Sequence, residues 1–230
     1  MNAPTVNFLH GRQTDDRSKT MNLFFDRLGV MKKLLAILVL VLILITPSQA
    51  DDIRDFQIEG MSVGDSLLDY FSEKEIEDNA MYDYYKYLPT AYQKIYKVIE
   101  FVNLPRFKIY DNVSVDFLMK DNKFINKTVN GILFFDNAKE CYSQQKKIDK
   151  ELSEIFKNTD RQTNENNHGF DKTGNSKTKA INYWFDSDDL VTVICTDWSD
   201  EITKTYGWSD NLAVEIKSKE YNQFLNEAYK

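Results

Sequence analysis

Cysteine is scarce in this 230-residue chain. There are two, Cys141 and Cys195. Histidine is as rare, with His10 and His168 the full complement. Zinc asks for three or four protein ligands, so one histidine beyond residue 50 makes no metal site, and neither a metal nor a cofactor is expected. Eight glycines, six of them beyond residue 50, further limit the catalytic sites that can be built. Basic charge is also short: 29 Lys and Arg face 36 Asp and Glu, for a net charge of −7. Residues 1–50 hold six of the basic and three of the acidic groups, so 51–230 carry −10. An acidic chain repels phosphate backbones and anionic headgroups, which excludes nucleic acid as a partner and leaves no electrostatic pull to a membrane surface. Long apolar runs are absent save one, and that one is twelve residues, Leu34 to Ile45.

What is present begins with that run. Lys32 and Lys33 precede it, Pro47 breaks it, and Ser48-Gln49-Ala50 places small residues where a signal peptidase reads. This is the layout of a secretory signal over 31–50, cleaved after Ala50. Crossing the hydrocarbon takes about 20 apolar residues, so an uncleaved single-span anchor in the inner membrane is the alternative. Residues 1–30 have no clear pattern and read as an overcalled start or a long n-region. Residues 51–230 suit one domain, with 51–105 a helical and extended lead-in and 106–230 the main unit. Both cysteines lie in the exported part. An even pair in an oxidising compartment points to a disulfide, with two separate buried thiols as the alternative.

Periodicity supplies the elements. "FQIEGM" (56–61) reads as a short strand or extended lead-in, and "VGDSLLDYF" as a helix start burying Leu67, Leu68 and Phe71. Ser72 with Glu75 makes a capping box. Residues 94–102 read as a strand. Val113, Val115 and Phe117 alternate with Ser114 and Asp116, which predicts a half-buried strand. "FINKTVNGILFF" returns as a second strand, with Gly131 a bulge or a close approach. Cys141, Ile148, Leu152 and Ile155 share a face of a helix over 137–157. Residues 158–179 have no apolar period and read as a long polar loop. Strands follow at 180–185, 190–196 and 211–217. Ser218 caps a last helix with Tyr221, Phe224, Leu225 and Ala228 inward. The result for 106–230 is ββαβββα: an α+β fold, a mostly antiparallel sheet with helices packed on one face.

Several short motifs suggest chemistry. Gly64-Asp65-Ser66-Leu67 resembles the first block of the GDSL esterases, which implies Ser66 as nucleophile and, here, His168 as base. That family also implies a G-x-N-D block, an Asp-x-x-His near the C-terminus and a parallel sheet. This chain has no G-x-N-D, it has Glu165 three residues before His168, and its strands read as hairpins. Asp171-Lys172-Thr173-Gly174 resembles the phosphorylated-aspartate motif of P-type transport ATPases, but Asn175 stands where threonine is usual, and a turn is expected. "WSD" occurs at Trp198-Ser199-Asp200 and again at Trp208-Ser209-Asp210. Exposed indoles beside carboxylates make Trp198, Asp200, Trp208 and Asp210 ligand-binding candidates. The plainer expectation is a pair of turns flanking a hairpin, with the rings covering the sheet edge. Asp186, Asp188 and Asp189 lack the glycine and closing glutamate of a calcium loop and read as a hairpin turn.

The assembled pattern, from "DFQIEGMSVGDSLLDYF" through "YDNVSVDFLMKDNKF" to "VICTDWSD", resembles a group of small exported bacterial proteins to which no activity is attached. "IEGMSVGDSLLDYF" is also similar to the opening of periplasmic outer-membrane assembly modules. The first resemblance implies an exported, periplasmic protein and the second a module that binds proteins rather than a catalyst; the partner expected is an unknown protein or small molecule.

Overall fold

The computed structural model describes residues 52–229. Residues 1–30, the signal segment expected over 31–50 and the cleavage expected after Ala50 lie outside the described residues. No described helix is long and apolar enough to cross a membrane.

Among the described residues eight strands form one sheet. They are β1 (Ala80–Met81), β2 (Tyr96–Val102), β3 (Asn112–Leu118), β4 (Thr128–Phe135), β5 (Asp160–Asn167), β6 (Lys177–Trp184), β7 (Leu190–Asp197) and β8 (Asp210–Lys217). The helices are α1 (Glu73–Asp78), α2 (Ala138–Ile155), α3 (Asp200–Tyr206) and α4 (Lys219–Ala228). The strand order is β1-β2-β3-β4-β8-β7-β6-β5, and every pair is antiparallel. The class is α+β. The topology is two four-stranded meanders joined at β4 and β8. Helix α2 carries the chain from the centre of the sheet to its far edge, and β5 to β8 walk back.

Local chemistry explains the elements. Ser72 and Glu75 form the capping box of α1, and Asn137 caps α2 by accepting from the Glu140 N–H. Cys141, Ile148 and Leu152 are the buried stripe of α2, and they join Val191, Val193, Leu212, Val214 and Ile216 of the sheet in the main core. A disulfide links Cys141 on α2 to Cys195 on β7, with Cα atoms 5.9 Å apart, inside the usual bridging range. The N-terminal turns and α1 share this face, through Ile53, Leu67, Phe71 and Ile76. Helix α4 packs instead on Tyr96 and Val98, which alternate with Ile99 and Phe101 of the main core and so point the other way. The single helical face therefore holds for α1 and α2, and α4 lies opposite.

Three expected elements come out differently. The polar stretch 158–179 is not a structureless loop. Asp160–Asn167 is strand β5, the edge of the sheet, exposed on both faces and so without an apolar period. The residues between the two "WSD" segments form α3, capped by Ser199 and closed by Gly207 in the left-handed region at φ 70°. "FQIEGM" is a tight turn: Ile58 and Met61 exchange backbone hydrogen bonds around Glu59 and Gly60, both at positive φ. Leu67 and Phe71 are buried as expected, while Leu68 is exposed.

Gly131 is a close approach and not a bulge. The β4 ladders run through it in unbroken register, and a Cβ placed there would meet the Tyr110 ring at 2.7 Å. A Gly131→Ala variant is expected to lose about 1–3 kcal/mol from overpacking, read by chemical denaturation. Unchanged stability would mean the ring moves aside freely. Reduction of Cys141–Cys195 releases a span of 54 residues. In the chain-entropy model this costs roughly 4 kcal/mol, visible as a lower melting temperature in reductant.

Candidate functional site

The ladder register separates the sheet into two unlike faces, because successive side chains point to opposite sides. One face carries the row Ile99, Val115, Val129, Ile216, Val191 and Tyr183, and belongs to the core under α2. The opposite face carries Glu100, Ser114, Asn130, Glu215, Thr192 and Asn182 in one row. Beside it runs a second row with Asp116, Thr128 and Lys217. On its other side Asn112, Ile132, Ala213 and Ile194 line up, then Asn211, Thr196 and Thr178.

This polar face is buried. Ser114 and Asp116 were expected to point to solvent from a half-buried strand, yet six consecutive residues of β3 are buried on both faces. The consequence is a set of stranded polar oxygens. Asn112 Oδ1, Asn130 Oδ1, Asn211 Oδ1, Thr192 Oγ1 and Thr196 Oγ1 are buried with no hydrogen-bond partner among the described residues. Thr192 and Asn211 are each 2% exposed. A buried polar atom without a partner costs free energy, so five on one face of four neighbouring strands call for an explanation. The charges there are Glu215, ion-paired to Lys217, with Asp116 and Glu100.

Asp116 is strongly perturbed. Tyr85, from the tyrosine-rich segment, and Tyr221, from the first turn of α4, both donate to Asp116 Oδ1, Tyr221 at 3.2 Å. Their two hydroxyls are 2.7 Å apart. Phe224 and Tyr96 pack around them. Burial pushes the Asp116 carboxyl up to about 7, and the charge on Glu215 adds to this, while the tyrosine hydrogen bonds and Lys217 oppose it. Burial also holds the Tyr85 and Tyr221 phenols well above their usual range, so they remain donors. The cluster ties the 82–96 segment and α4 to the sheet. Sequence reasoning passed over Asp116 because alternation with Val115 and Phe117 made it an outward residue. A signal was present: Tyr221 lies on the apolar face of α4, and a buried phenol needs a partner.

The residues singled out from the sequence take structural places. Ser66 caps the turn Leu67–Asp69, accepting from the Leu68 N–H at 3.2 Å and donating to the Lys123 carbonyl at 2.7 Å. His168 lies in the turn after β5, where its Nδ1 accepts from the Phe170 N–H at 3.2 Å and its ring sits 4.3 Å from that of Trp198. No hydrogen bond joins Ser66 to His168, and the sheet is antiparallel throughout, so the esterase arrangement is not assembled. Trp198 and Trp208 are not exposed platforms. Their ring centroids are 4.7 Å apart, packed with Ile202 beneath α3, because that helix folds both indoles inward. Asp210 accepts from the Trp198 N–H at 2.8 Å, and burial pushes its carboxyl up. Asp200 is exposed in the first turn of α3, where a carboxylate suits the helix N-terminus.

Asp171, of the "DKTG" segment, is a hub. Its carboxylate accepts from the backbone N–H and hydroxyl of both Thr173 and Ser176, and from the Ser199 hydroxyl that caps α3. These bonds, those from Ser176 foremost, hold its carboxyl far below the usual range. Asp171 thus ties the β5–β6 turn to α3.

No protein-family model, curated protein or solved structure matches this chain.

The two aspartates give opposite pH signatures. A carboxyl raised to about 7 contributes stability that is complete below its unfolded value near 3.8 and is lost as pH rises through 7. Asp116→Asn abolishes this loss, on the order of 4 kcal/mol by linkage. The stability of the variant relative to wild type should therefore rise between pH 4.5 and pH 8 in denaturant titrations, and an equal difference at both pH values would refute the shift. Asp171, with its lowered carboxyl, stabilises above the usual carboxylate range and loses that contribution as pH falls. Asp171→Ala should melt well below wild type at neutral pH, and the gap should narrow in acid.

Proposed function

We propose that this chain is an exported bacterial binding module, periplasmic after cleavage at Ala50, whose ligand engages the polar sheet face. One observation carries the reading. Five buried oxygens on β3, β4, β7 and β8, three amide oxygens and two hydroxyls, have no partner among the described residues, and the same face of the sheet carries the acidic groups Glu100, Asp116 and Glu215 beside Lys217. Such a surface selects a small polar molecule rich in hydrogen-bond donors, an amine or a polyol. Binding sites commonly keep polar groups that the free protein leaves unsatisfied, at a cost in stability. Export is supported by the Lys32-Lys33 and Leu34–Ile45 layout, and the disulfide fits an oxidising compartment.

Two measurements test this. The intact mass of protein from a periplasmic fraction should start at Asp51 and lie two hydrogens below the reduced mass. A membrane-bound chain keeping 31–50 would favour the anchored alternative. For the face, Thr192→Val replaces an unpartnered hydroxyl with a methyl of the same shape. It should raise stability by about 1 kcal/mol in the free protein. It should also weaken any amine or polyol found by thermal-shift screening. A destabilised variant would show that the hydroxyl is already satisfied, and the reading of this face would fall.

A further inference from the structure

The two edges of the sheet are managed differently. At one edge β1 is two residues long, the usual way of leaving little backbone to pair. At the other, β5 runs for eight residues, Asp160–Asn167, paired with β6 along its whole length and exposed on both faces. It contains no proline, no glycine and no lysine, and its ladder with β6 is unbroken by a bulge, so its charges Asp160, Arg161 and Glu165 are what governs pairing at this edge. Half of its backbone donors and acceptors face away from β6. Without apolar residues, selectivity at such an edge has to come from its charges.

The charges along β5 choose the partner. Arg161 and Glu165 lie four residues apart, on the same face as Thr163 between them. A second β5 laid antiparallel about a two-fold axis through Thr163 sets Arg161 opposite Glu165 of the second copy, and the reverse, while Gln162 meets Asn164. Inside each copy, Lys179 of β6 is already in register with Glu165, and Arg161 is held by Asp149 of α2 through Nε and Nη2, each at 2.8 Å. A guanidinium has five N–H donors, and Asp149 takes two. The row across the junction then reads Lys179, Glu165, Arg161 of the second copy and its Asp149, with signs alternating at every step. Opposite charges directly across an antiparallel pair stabilise it, and a one-residue slip would break the match.

We propose that β5 is a self-pairing edge, through which two copies of this chain join their sheets into one continuous antiparallel sheet. This surface is distinct from the polar face, and the proposal does not depend on the ligand reading.

Sedimentation velocity of the full chain over a concentration series tests it, with circular dichroism to confirm folding. Wild type should show a concentration-dependent dimer. Glu165→Arg sets arginine against arginine in a homodimer, and Arg161→Glu sets glutamate against glutamate. Each alone should weaken self-association about tenfold or more. Mixed one to one, the two variants meet with both pairs matched, and dimer should return. A wild type that stays monomeric throughout the series overturns the proposal. So do folded variants that dimerise as wild type does, and so does a mixture that stays monomeric.

Discussion

The pairing of β4 with β8 is the constraint on which the rest depends. Eight residue pairs, Thr128 with Lys217 through Phe135 with Asp210, weld a meander built from the first half of the domain to one built from the second. The pairing closes only because α2 crosses the sheet to deliver the chain to β5 at the far edge. The Cys141–Cys195 bridge pins that crossing to β7. The rows of side chains that span both meanders run through this seam, so its register sets which residues from the two meanders meet. Slipped by one residue, it would set the valines and isoleucines of one meander against the polar residues of the other.

That register yields two faces of different character. The face under α2 is a conventional apolar core. The opposite face buries carboxylates, amides and hydroxyls, with Asp116 clasped by Tyr85 and Tyr221 at one end. A sheet built for stability alone would fill that face with apolar groups or leave it to solvent. Unsatisfied groups retained in a folded protein need a reason, and a site kept at the expense of stability is one. Asp171 shows the contrary use of a carboxylate. Fully bonded to Thr173, Ser176 and Ser199, it organises a turn and is spent on structure. The two aspartates, one starved of solvation and one saturated with donors, have carboxyls moved in opposite directions for that reason.

Much of this was legible beforehand. The α+β class, the caps at Ser72 and Ser218, the stripe on α2 and the cysteine pair all follow from signals confined to a few turns of chain. Gly131 reads from sequence as either a bulge or a close approach, and only the Tyr110 ring against it and the unbroken ladders decide for the second. Helix α3 had readable punctuation too, in Ser199, the acidic pair Asp200-Glu201 and Gly207, but seven residues are too few for a hydrophobic period to declare itself. Strand β5 had no apolar signal at all. Its existence rests on backbone hydrogen bonds to β6, and residues exposed on both sides are under no pressure to alternate.

Local composition and periodicity settle where helices and strands begin, which side chains seek an interior and which cysteines are near enough in kind to bridge. They do so because caps, turns and amphipathic stripes act over a few residues. Whether the second side of a strand meets water or protein is a property of the assembled sheet. Val113 and Ser114 are both buried in β3, and nothing near them in sequence tells Ser114 that Tyr85, and Tyr221 of α4, will close over the neighbouring Asp116. The packing of Trp198 on Trp208, the meeting of Asp116 with Tyr221 from 105 residues away and the open edge at β5 arise from long-range topology. The functional reading rests on those three-dimensional outcomes, since burial and the lack of a partner are facts about neighbours that a chain acquires only on folding.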